Sequence, residues 1–295
     1  MNSPATVMIT RRCSQRTFLF RPSPAVTEMY RYLLAVLSSQ YGIQVHAAVL
    51  MSTHEHLVIT DPAGRRSEFL QAFHRMVANT LKVMVGWRGE VFDGRPTSMV
   101  QLLTPEAVVE KVAYLAANPV EAGLVRHARD WPGVQTLPAQ LGRARWTLRR
   151  PGVYLDPENP SWPQTASMQL IHPEVTGMTP AAFRDAVSEE MERLEQAARE
   201  KLIAEGRRFA GRKAVLRASR FKRAMSWEEK GALNPTFATG RGQREVFFEA
   251  VRQLRTFRHA YREAMRAWVQ GNREVLFPAG TLQMQTLHQV RVAPS

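Results

Sequence analysis

A chain of 295 residues, 44% of them hydrophobic, is long enough for one large or two ordinary domains and can bury a core. Its 40 Lys and Arg against 26 Asp and Glu leave a formal net charge of +14, an excess that calls for a polyanionic partner, nucleic acid first. The first residues lack a basic start followed by a long apolar stretch, and no apolar run approaches spanning length, which predicts a cytoplasmic, nucleoid-associated protein with no membrane partner. Cys13 is the single cysteine, so intrachain disulfides and cysteine-based zinc sites are excluded.

The pattern predicts a strand over 7–12 and a helix over 25–40, entered through Arg21-Pro22-Ser23-Pro24. A β-branched stretch at 43–51, the pair Ser52-Thr53 and a return strand at 54–60 read as a hairpin. Phe69, Leu70, Phe73, Val77 and Leu81 recur at helical spacing within 67–85, and 98–102 reads as a short fourth strand. Thr104-Pro105-Glu106 opens another helix with a capping hydroxyl, a first-turn proline and an early acid; Asn118-Pro119 is expected to close it.

Strand, helix, strand, strand, helix, strand, helix is the order of an α+β, ferredoxin-like split βαβ sheet with one added helix. This first domain is expected over 1–130. Repeated prolines from Pro132 to Pro173 mark 131–178 as a linker or wrapping segment. The remainder, 179–295, reads as mainly helical, with helices from Thr179-Pro180 to about 207 and over 245–270. It is also strongly basic, with 17 Lys and Arg against 5 Glu between Arg207 and Arg273. Alone, that charge reads equally as a solvated helical surface or as nucleic-acid contact, and a nucleic-acid site elsewhere in the chain would tip it toward DNA contact.

His54 and His56 stand two apart on a strand, so both imidazoles leave one face and can reach one ion. Alone the spacing is weak, but a rigid central hairpin holds ligands within coordination tolerance. His46 and His74 lack a partner at ligand spacing and read as structural, although His46 could approach from the adjacent strand.

Tyr114 has Glu110 and Lys111 one turn before it, while Val108, Val112 and Leu115 form the apolar stripe on another side; the ring is expected to face out of the helical core. Asn118 follows one turn later on the same face, either as a third metal ligand or as a turn residue before proline. A phenol oxygen attacks a phosphodiester when a divalent ion polarises the phosphoryl group, and the covalent product preserves the energy of the broken bond. The mixed nitrogen and oxygen set suits Mn²⁺ or Mg²⁺, although imidazole would also accept zinc or nickel.

Four stretches carry a resemblance, in order, over the first 125 or so residues. They are Ile9-Thr10-Arg11-Arg12-Cys13-Ser14-Gln15-Arg16, Val49-Leu50-Met51-Ser52-Thr53-His54-Glu55-His56-Leu57-Val58, Gly89-Glu90-Val91-Phe92-Asp93-Gly94, and Tyr114-Leu115-Ala116-Ala117-Asn118-Pro119-Val120-Glu121-Ala122-Gly123-Leu124-Val125. The sequence resembles the single-tyrosine transposases of the HUH superfamily, in particular the REP-associated tyrosine transposases. The resemblance implies a metal held by His54 and His56, with Asn118 at the third-ligand position. It implies Tyr114 as the nucleophile that nicks and joins single-stranded DNA near palindromic hairpins.

Two residues depart from the family pattern. Glu55 stands where a bulky hydrophobe is usual, on the strand face opposite the histidines, and must pair, reach solvent or help the ion. Ser52-Thr53 replaces the usual Pro-Asn and should alter the hairpin more than the chemistry.

Arg11, Arg12, Gln15 and Arg16 offer bidentate groups to exposed phosphates and base edges, and are expected to contact DNA. Trp87 and Phe92 could stack bases but read better as core anchors. The alternative function is a regulator that binds DNA hairpins without strand transfer, with Glu55 as its hint. An RNA-binding sheet would need exposed strand aromatics, and the middle strands carry Val, Ala, Leu and His instead. The long C-terminal region would block the pairing surface of a small dimeric relative, which points to a monomer.

Overall fold

The computed structural model describes residues 5–225 and 235–294; Glu228, Glu229 and Lys230 of the basic stretch lie outside the described residues. The first half is the expected split βαβ unit. In chain order it contains β1 (Thr6–Arg12), α1 (Pro24–Tyr41), β2 (Gln44–Leu50), β3 (His54–Thr60), α2 (Arg66–Val85), β4 (Ser98–Leu102) and α3 (Pro105–Glu121). Spatial order is β2-β3-β1-β4, every neighbouring pair antiparallel. Helix α1 starts where the Val26 N–H donates to Ser23 Oγ, and Gly42 at φ +68° ends it.

Strand alternation sorts side chains between two cores. Val7, Ile9, Leu57 and Ile59 face α1 and α2, whereas Met8, Ala47, Val49 and Val58 face α3. In β2 the pairing shifts between Val45 and Ala47, placing His46 in a bulge. One His46 nitrogen lies 2.8 Å from the Ile171 carbonyl and the other 2.8 Å from Thr60 Oγ1, so it is structural and takes no part in the site.

Helix α3 does not end at Asn118-Pro119. It continues to Glu121, with the Ala122 N–H donating to the Asn118 carbonyl at 3.0 Å, before Gly123 at φ +69° stops it. Pro119 removes one backbone donor, but the extra turn buries Val120, and Gln135 Nε2 donates to the Ala116 carbonyl at 2.7 Å. Burial here overrides the local preference of a residue before proline.

The proline-rich stretch carries regular structure of its own. It forms a hairpin of β5 (Arg145–Arg149) and β6 (Thr165–Gln169) that packs on α1, and backbone bonds from Leu50 to Val134 and from Ile171 to Val45 tie it to β2. Next, α4 (Pro180–Ala204) packs along α3, and a short α5 (Arg212–Arg217) follows. An unforeseen β7 (Phe237–Ala238) adds a parallel fifth strand beside β4. Contacts divide the chain at Gly240 rather than near 130 or 178. The second unit holds α6 (Arg244–Val269), β8 (Leu276–Phe277), α7 (Leu282–His288) and β9 (Arg291–Val292), with a small core around Ala264, Phe277, Met284 and Val290. Among the described residues no helix is long and apolar enough to cross a membrane.

Candidate active site

The register of β1 and β3 places Thr10 opposite His56 and Arg12 opposite His54, so all four side chains leave the sheet on the α3 side. The two imidazole rings are 4.7 Å apart, centroid to centroid, and the His56 ring is 5.6 Å from that of Tyr114. Tyr114 and Asn118 reach the same place from α3, one turn apart. With them the walls enclose a cavity of about 590 Å³.

Tyr114 is half-buried and lines this cavity. Lys111 lies with its Nζ 5.8 Å from the Tyr114 ring centroid.

The ring nitrogens are oriented from behind. His56 Nδ1 is 2.7 Å from Thr10 Oγ1, and His54 Nδ1 is 2.9 Å from Thr53 Oγ1. If each Nδ1 carries its proton toward its threonine, each Nε2 is left as the acceptor nitrogen, the arrangement that metal-binding histidines use. His56 Nε2 is buried and has no hydrogen-bond partner, and neither has Asn118 Oδ1. Burial holds the His56 imidazole well below its ordinary pKa, helped by the charges of His54, Arg12 and Lys111, so its lone pair is available at neutral pH.

Two orphaned acceptors beside a second imidazole fit a divalent cation, because leaving buried acceptors unsatisfied is costly. Asn118 Oδ1, buried and unpartnered beside the two imidazoles, is a group that could complete such a set. Since α3 runs on through residue 118, Asn118 is not a helix-end cap.

No family model and no curated protein matches the chain. Solved structures similar to the chain include two whose coverage is modest. One, a REP-associated tyrosine transposase bound to a REP hairpin, is 19% identical, with 48% of this chain and 81% of that chain covered and a TM-score of 0.41. The other, a Deinococcus radiodurans protein described as a transposase, is 15% identical over 32% of this chain and 76% of its own, with a TM-score of 0.28. Both neighbours are described as transposases, and both are distant.

The four expected DNA contacts separate. Arg12 and Arg16 line the cavity, whereas Arg11 leaves the opposite face of β1, donates to the Arg95 carbonyl at 2.6 Å and lies over the Phe92 ring. Arg11 and Arg12 border a smaller adjacent cleft of about 90 Å³ with Arg95. Gln15 is exposed at φ +53° and does not line the cavity. Phe92 is core, packed on Phe20 and His74; Trp87 is half-buried and stacks on Phe221.

The second wall of the cavity was not legible in the sequence. Residues 207–225 form a strap that runs from the end of α4 to the β1–α1 loop, and Arg207, Ala214, Val215 and Ala218 line the cavity from it. At one end the Ala210 and Gly211 N–H groups donate to the Gly123 and Leu124 carbonyls. At the other, Phe18 N–H donates to the Lys222 carbonyl and Ala224 N–H to that of Arg16. Arg220 fastens the strap with bonds to the Leu19 and Arg21 carbonyls and to Ser23 Oγ.

Proposed function

We propose that this protein nicks and rejoins single-stranded DNA through a covalent phosphotyrosine on Tyr114, with Mg²⁺ or Mn²⁺ held by His54, His56 and Asn118. The observation that carries the reading is the convergence of Tyr114, His54, His56 and Asn118 on one cavity, with His56 Nε2 and Asn118 Oδ1 buried and unpartnered. The ion, when bound, supplies Lewis-acid polarisation of the scissile phosphoryl group.

The chain's own residues do the rest. The Tyr114 oxygen forms a bond to phosphorus while one ester bond breaks; the phenol proton passes to solvent, and the departing oxygen takes a proton from solvent to leave as a hydroxyl. The half-buried Lys111 places a cation beside the phenol, where negative charge develops. Arg12 and Arg16 hold phosphate oxygens at the mouth. Rejoining reverses the step, with a hydroxyl attacking the phosphotyrosine.

Hairpin DNA is the substrate form we assign, the form bound by the first neighbour. The second unit adds cations suited to a duplex stem: Arg255, Arg258 and Arg262 are exposed on one face of α6 at spacings of three and four. Glu55 no longer favours a binding-only regulator, because it is paired on the far face of β3.

The test is incubation of a labelled single-stranded hairpin oligonucleotide, with flanking sequence, in Mg²⁺ or Mn²⁺. A covalent protein–DNA band is expected, lost with chelator and in Tyr114→Phe. Tight binding with no covalent band on any substrate or metal would overturn the enzymatic reading.

A further inference from the structure

The cavity beside Tyr114 is lined by two chemically different sets of residues. His54, His56, Tyr114, Asn118, Arg12 and Arg16 are polar or cationic and suited to a phosphodiester, with Glu121 among them. The strap adds the apolar Ala210, Ala214, Val215 and Ala218 beside its one lining cation, Arg207, and Phe18, Met51 and Leu124 extend that apolar lining. A phosphate has no use for an apolar wall. Sugar–phosphate backbone bound alone would be served by the cationic side, so the apolar half calls for a second, uncharged group attached to the same ligand.

An unpaired nucleobase is that group. It is flat and weakly hydrated on its faces, it sits within one nucleotide of the scissile phosphate, and single-stranded DNA leaves it free to turn out of a stack. Size agrees. At about 590 Å³ the cavity falls within the ~300–1,000 Å³ range of small-ligand sites, room for one nucleotide but not for a folded stem. Phe18 is half-buried in the wall and offers an aromatic face.

The strap is fastened at both ends, to the Gly123–Leu124 turn after α3 and to the β1–α1 loop. Its apolar residues are therefore held at a fixed distance from the polar side, as a specificity wall requires.

We infer that the strap-walled half of the cavity is a base-binding subsite, which takes one unpaired nucleobase immediately flanking the phosphodiester attacked by Tyr114. The inference rests on the strand-transfer reading above. Through this subsite the strap selects the nucleotide at the cut.

Two measurements test it. In the first, oligonucleotides carry an abasic residue at the nucleotide on either side of the cut, and each is cleaved by the wild type and by Ala218→Trp, a half-exposed strap position that can accept a ring. In the wild type one of the two abasic positions should raise KM by about tenfold or more with little change in kcat. Ala218→Trp should lose about tenfold on intact DNA at low concentration yet match the wild type on that abasic substrate, because indole and base compete for one space. The second measurement needs no strap variant. In Tyr114→Phe, 2-aminopurine at the same position should change fluorescence on binding, and its neighbour two nucleotides away should not.

Cleavage that ignores both abasic positions, or an Ala218→Trp loss equal on intact and abasic DNA, overturns the subsite and leaves the tyrosine chemistry standing. Absence of any covalent adduct on every substrate overturns both.

Discussion

Nε2 of His74 lies 2.5 Å from Oε1 of Glu55, with both side chains buried on the face of β3 away from His54 and His56. This contact is how a carboxylate survives at a position that ordinarily calls for a hydrophobe. Tyr30 borders the pair, and its hydroxyl is held well above its ordinary pKa by burial and then by Glu55. Cys13 is pushed up by burial first and by the same carboxylate to a lesser degree, which makes the single thiol inert.

Breaking the pair from one side should leave an uncompensated buried group. Glu55→Leu or His74→Leu alone is expected to cost about 3–5 kcal/mol of stability, whereas the double change Glu55→Leu with His74→Leu costs less. Urea denaturation of the four proteins in a double-mutant cycle measures the coupling. Additive losses would show that the contact contributes nothing of its own.

Acid should weaken the fold through His46. Burial lowers its pKa to about 4, from an ordinary value near 6.5. The folded state therefore holds the neutral ring, and between these values the unfolded chain binds more protons. The stabilising contribution is complete above pH 6.5, declines as pH falls toward 4, and amounts to about 3 kcal/mol. Unfolding free energies in urea from pH 7.5 to 4 should show that decline, and His46→Gln should flatten it.

Thr10 should govern metal affinity without touching a metal. Its hydroxyl is 2.7 Å from His56 Nδ1, and loss of such an outer partner lowers affinity by about 10–100-fold. Thr10→Val, titrated with Mn²⁺ by calorimetry, should weaken binding by that factor while thermal stability changes little. An unchanged affinity would mean that the backbone of β3 alone orients the ring.

The arginines of α6 should reveal themselves in salt. If Arg255, Arg258 and Arg262 contact duplex phosphates, replacing all three with Gln should reduce the slope of log affinity against log salt by about 2.7 for a hairpin with a duplex stem. Anisotropy titrations at several salt concentrations give the slope. A short single strand that reaches only the tyrosine cavity should keep its slope, and an unchanged hairpin slope would remove α6 from the interface.

The four-stranded sheet, its helices and the face shared by His54 and His56 were all legible because they are local. Alternation on a strand and the 3.6-residue period of a helix decide which side chains leave together, and Tyr114 with Asn118 on one helical face needs nothing beyond that period. Net charge likewise pointed to a polyanion without any knowledge of fold.

What the sequence could not decide were the contacts between distant segments. Glu55 gave no sign of its partner, because His74 lies 19 residues away on another element. The helix stop at Asn118-Pro119 was a sound local expectation that lost to the burial of Val120. Arg11 and Arg12 look alike in the chain, and only the sheet sends one to the Arg95 loop and the other to the cavity. The strap left the faintest trace: its cavity-lining Ala210, Ala214 and Ala218 recur every four residues but are too small to stand out as an apolar stripe, and its place beside Tyr114 depends on backbone bonds to Gly123, Leu124 and Phe18. Periodicity therefore specified each element and the face it presents, while the pairing of buried groups and the second wall of the site depended on tertiary packing, where energies are set by neighbours that no local pattern encodes.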